Sequence, residues 1–158
     1  MKKFAANYLV SDSGIFLKNG IVVANDEGTV VEFIDTAGDL REIEQLLFFN
    51  GILITNCRFV RTHLDFPGHI TDNLSKSLII RLVAELNEVT IRNLVEIGIQ
   101  IQAQFPGMTI QEILDEIRNF LLIDGKYSRQ IVPGIFLLIG VNLADLHFTP
   151  KSKLKKIL

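Results

Sequence analysis

From Asp72 to Gln104 the chain has one glycine, Gly98, and no proline. On both sides of that stretch, short β-branched and apolar runs are punctuated by glycine, asparagine and aspartate. Such residues mark turns between strands, while an uninterrupted apolar repeat marks helix. The distribution therefore encloses a helical middle between two strand-rich ends, and any sheet must join N- and C-terminal pieces. At 158 residues the chain is one ordinary domain, long enough to bury a core.

The first end begins with a strand, KFAANYLV. A hairpin follows, in which two β-branched runs flank Asp26-Glu27-Gly28, with glycine available for a positive φ. LREIEQLLFF reads as a brief helical or turn segment, and NGILIT returns to strand. Asn19-Gly20 and Asn50-Gly51 each supply turn chemistry before an apolar run. In the middle, Leu74, Leu78, Leu82 and Leu86 recur every four residues, as do Ile91, Val95 and Ile99. This predicts a helix near 74–104 with an N-cap at Asp72 and a break near Asn87. Phe105-Pro106-Gly107 ends it. Thr109 with Glu112 forms a capping box for a second helix over about 109–122. VPGIFLLIG is then an apolar strand, and LADLHF and SKLKKIL are two further strand or edge elements.

Composition narrows the function classes. Lys+Arg is 16 against Asp+Glu 18, so no general pull toward nucleic acid or anionic lipid is expected. The basic cluster at Lys151, Lys153, Lys155 and Lys156 fits a solvent-facing edge strand, where lysine discourages pairing. One cysteine, Cys57, permits no intrachain disulfide framework and fits a reducing, cytoplasmic setting as a small buried hydrophobe. MKKFAANYLVSD has too short an apolar run for a signal sequence or membrane span. No G-x-S-x-G, G-x-G-x-x-G or phosphate-binding loop is present, and Ser11-Asp12-Ser13 reads as a turn. His147 has Asp145 as its evident carboxylate partner.

The order of KFAANYLV, LKNGIVVANDEGTVVEFID and FFNGILITNCRFVRTHLDF, followed late in the chain by QAQFPGMTIQEILDEI and VPGIFLLIGVNLADLHFTPKSKLKKIL, resembles the amidohydrolase superfamily. The likeness is to its branch of cytosine-deaminase-like and aminofutalosine-deaminase-like enzymes. Members pair a metal-bearing (β/α)8 barrel with a small β-sandwich made from both chain ends. The resemblance implies that the first barrel strand ends in two ligand histidines. Here those positions are Arg61 and His63, and Asp65 stands where the branch has glutamate. Thr55-Asn56 replaces a Pro-Gly, and ITDN resembles the turn bearing the family's catalytic aspartate, which places that residue at Asp72. A barrel takes about 250 residues, so none fits here. The resemblance implies the outer domain and last helices, joined across a deletion.

Vestigial catalytic candidates are thus His63, Asp65 and Asp72, and candidates for a metal are His63 and His69. Arg61 opposes a dication, because residues two apart in a strand share a face, and it is better placed to pair with Asp65. The expected fold class is α+β: a small β-sandwich from residues 1–60 and 125–158, with two or three helices over 72–122 replacing the barrel in a single domain, 1–158. The expected function is a non-catalytic amidohydrolase remnant acting as a binding or oligomerisation module without a cofactor. The alternative is a small zinc-dependent hydrolase or deaminase acting on C–N bonds, its site completed by another chain. A homodimer is expected, through Val89, Ile91, Ile97 and Ile101 on a second helix face, with a further protein partner possible and no nucleic acid or membrane.

Overall fold

The computed structural model describes residues 1–11, 14–55, 58–61, 88–115, 127–128 and 134–158. Both chain ends meet in one sheet, as the strand-rich termini require. Strand β1 (Lys2–Ser11) is flanked by β3 (Ile21–Ala24) and by β5 (Leu46–Thr55). Strand β2 (Phe16–Lys18) folds back on β1, and β4 (Val30–Ile34) follows β3. From the other end, β9 (Ile135–Ile139) pairs antiparallel with β5, and β10 (Lys153–Lys156) pairs with β9. The order is β10-β9-β5-β1-β3-β4 in a seven-stranded sheet, and β1 and β5 run parallel. A separate three-stranded sheet holds β6 (Arg58–Arg61) between β7 (Glu88–Thr90) and β8 (Tyr127–Ser128).

Alternation along the strands feeds two cores. Ile52 and Ile54 join Val10 and Leu138 beneath the helical layer, while Leu53 faces the other way with Phe4, Val22 and Ile135. Helix α1 (Ile91–Gln104) lays Val95, Ile97 and Ile101 on the first core, and helical residues 110–115 add Ile110 and Ile113. Fully burying each such side chain stabilises the fold by about 1.5–3 kcal/mol. The second core is closed by curvature of the sheet. A Cβ added at Gly28, in the β3–β4 turn, would sit 3.3 Å from the carbonyl carbon of Leu158 and 3.5 Å from the Cα of Gly134. The hairpin tip therefore meets the C-terminal strands across the sheet.

Several local expectations hold. The turn before Thr29 is organised by Asn25, whose Oδ1 accepts from the Glu27 and Thr29 amides, with Gly28 at φ +82°. Thr109 and Glu112 exchange two hydrogen bonds, of 3.1 and 3.3 Å, as a capping box does. Asn19 takes φ +52° in the turn before β3.

Others are corrected. Residues Leu46–Phe49, read as helix or turn, are strand, because the β-prone LLFF run pairs in register with Lys3–Ala6 and Phe49 stacks on Phe4 at 6.3 Å. Asn50-Gly51 is not a turn but a bulge within β5, where the register against β1 shifts between Ala6 and Tyr8. The break expected near Asn87 falls at Glu88–Thr90, but these residues are strand paired with β6 and not a helix-to-helix turn, and α1 begins only at Ile91; residues 74–87 lie outside the described residues. LADLHF is a turn closed by an Asn142–His147 bridge, not a strand. Ile97 and Ile101, expected on an outer helix face, are 3% and 0% exposed in the first core. The second helix docks where they would have faced outward: Ile110 donates its amide to the Leu146 carbonyl, and Phe148 fills the space over Gly98.

Candidate functional site

His63, Asp65, His69, Asp72 and Cys57 lie outside the described residues. Their frame is visible on either side. β5 carries the chain to Thr55, which is 0% exposed and whose hydroxyl has no hydrogen-bond partner among the described residues. Beside it in β1, Ser11 is also buried and accepts from the Ile15 amide at 3.0 Å. Arg61 then sits in β6, in register with Tyr127 of β8. Arginine carries a fixed positive charge and has no lone pair to give a metal. At the position where the resemblance implies a ligand, it does not fit a dication.

Among the described residues no group of three or more histidine, cysteine and carboxylate side chains could hold a metal ion. His147 and Asp145 do come together, with Nδ1 3.3 Å from Oδ2, and the Asp145 carboxylate also accepts the His147 amide at 3.1 Å. Asn142 accepts the Ala144 amide in the same turn at 3.0 Å. These are turn-forming bonds. They aim the next residue, Phe148, at α1, where Gln102 both donates to the Phe148 carbonyl and accepts from its amide, each at 2.8 Å. The His147–Asp145 contact thus lies in the turn that brings Phe148 against the helix.

The feature that sequence reading missed lies on β5. Its C-terminal half, Ile52–Thr55, is covered on both sides, by β1 and β9. In its N-terminal half, Leu46–Phe49 are paired with β1 alone among the described residues, and Asn50 begins the bulge. Both limits of this open edge are set by the backbone. At one end Gln45 turns with φ +60°. At the other, Gly51 has φ +146°, and a Cβ there would collide with the Leu138 carbonyl oxygen of β9. The Gly51 amide turns inward to the Asn7 side chain at 2.8 Å. Leu47 and Phe48, on opposite faces of the strand, are 55% and 47% exposed. No residue from Leu46 to Asn50 is charged. The available signal was the LLFF run, four large apolar residues without a gatekeeping lysine or proline.

No protein-family model, curated protein or solved structure matches the chain. No helix among the described residues is long and apolar enough to cross a membrane.

Proposed function

We propose that the protein is a non-catalytic binding or assembly module that receives an extended apolar segment on the open edge of β5. The observation that carries this reading is the exposed, uncharged Leu46–Asn50 edge, unprotected where edges usually are. Strand addition would satisfy its outward backbone groups, while Leu47 and Phe48 would grip alternate side chains of the guest. The scaffold is read as an amidohydrolase remnant working in the cytoplasm. The joining of both chain ends in one curled sheet is what supports descent from a sandwich domain of that kind.

The test is fluorescence anisotropy with a labelled peptide of residues 45–51, flanked by lysines for solubility. Saturable binding is expected, weakened at least about tenfold by Phe48→Lys in the protein and equally by alternate N-methylation of the peptide backbone. Absence of binding, or binding indifferent to both changes, overturns the reading. Elemental analysis gives a second check. No stoichiometric zinc is expected, whereas one equivalent lost on His63→Ala would favour the metal-dependent hydrolase instead.

A further inference from the structure

Resting on the binding-module reading, we propose that the occupant of this edge is a second copy of the chain, paired β5 to β5 in antiparallel fashion about a two-fold axis centred on Phe48. Symmetry and the ends of the edge fix that register. In an antiparallel pair related by a two-fold axis normal to the sheet, equivalent residues lie on the same face. Alternation then requires the axis to pass through a residue position, not between two. A ladder centred on Leu47 would need Gln45 in extended conformation, which its φ of +60° forbids. A ladder centred on Phe49 would need Gly51, where β9 already closes in on the strand through Leu138. Centring on Phe48 uses Leu46–Asn50 of both copies and nothing more.

The chemistry of that register is self-compatible. Phe48 faces its symmetry mate on one side of the sheet. Leu47 lies opposite Phe49 on the other, where Phe49 already stacks on Phe4 and packs into the second core. No charge from Leu46 to Asn50 meets a like charge. Among the described residues, the two strands that end the main sheet order, β10 and β4, offer no such match. On β10, self-pairing would bring Lys153, Lys155 and Lys156 against their copies, and β4 carries the exposed Glu32 within its short length. Pairing β5 of one copy with a different edge of the next would not close, while the isologous pair does. The contact is small beside the roughly 1,200–2,000 Å² of a standard interface, so association on the order of 10–100 µM is expected.

Sedimentation equilibrium from about 1 to about 200 µM tests this on the full chain. The expected result is a monomer–dimer equilibrium whose dissociation constant rises at least about tenfold in Phe48→Lys and stays within about twofold in Val31→Lys, a control on exposed β4. Circular dichroism should show both variants folded, since both side chains are about half exposed in the wild type. A monomer at every concentration, or a dimer insensitive to Phe48→Lys, overturns the proposal. If the protein stays monomeric while the 45–51 peptide binds it, self-pairing fails and the binding-module reading survives. If neither associates, both fail.

Discussion

Two edges of the same sheet are built in opposite ways. β10 ends the sheet with Lys153, Lys155 and Lys156 exposed around a half-buried Leu154 that packs under the helices. The open half of β5 presents Leu47 and Phe48 to solvent with no charge from Leu46 to Asn50. Both strands offer backbone groups to a passing strand, but on β10 an incoming strand must desolvate ammonium groups, and on β5 it buries apolar surface. The difference separates an edge built to end a sheet from one able to extend it. Ile97 and Ile101, two of the residues expected to hold a dimer, are instead spent on the internal core.

The largest expected effect comes from breaking the support that both edges share. Ile101→Glu places an uncompensated charge in the first core and should cost more than about 4 kcal/mol. Chemical denaturation should find it largely unfolded; a folded Ile101→Glu protein with lost self-association would return the interface to the helix. Next is Gly51→Ala, which attacks the point where β5 passes from open to covered. A positive φ and a collision with the Leu138 carbonyl should together cost about 2–4 kcal/mol, read as a lowered denaturation midpoint. Little change there would mean that β9 is free to shift and that the open edge has no fixed end. Gln102→Ala removes both bonds to the Phe148 backbone beside the β10 side of the sheet and should cost about 1–3 kcal/mol. Smallest is replacement of Lys153, Lys155 and Lys156 by threonine. Folding stability should move by no more than about 0.5 kcal/mol. Light scattering should nonetheless show new concentration-dependent association, because a second edge has lost its guard.

Where residues act through their neighbours along the chain, the sequence was informative. The Asp26-Glu27-Gly28 hairpin, the Thr109–Glu112 capping box, the apolar 135–139 strand and the lysine edge all follow from local rules. What was not legible depends on residues distant in sequence. Leu46–Phe49 become strand only because β1 lies alongside, some forty positions earlier. Asn50-Gly51 looks like a turn by its residue types, yet bulges because Asn7 captures the Gly51 amide and β9 comes in against Leu138. Ile97 and Ile101 looked like surplus hydrophobes until Phe148 and the 110–115 helical residues covered them. His63, Asp65, His69 and Asp72, which the amidohydrolase resemblance singled out, lie outside the described residues, while the open edge of β5 is marked in the sequence only by its ungated LLFF run.

The most direct test is backbone hydrogen exchange at low and high protein concentration, read separately for Leu46–Asn50 and Lys153–Lys156. Between about 5 and about 200 µM, exchange should slow severalfold in the β5 edge and stay constant in β10. Phe48→Lys should abolish the slowing. Protection that is independent of concentration at Leu46–Asn50, or that grows at Lys153–Lys156 instead, would contradict the assignment of β5 as the edge this protein leaves open for pairing.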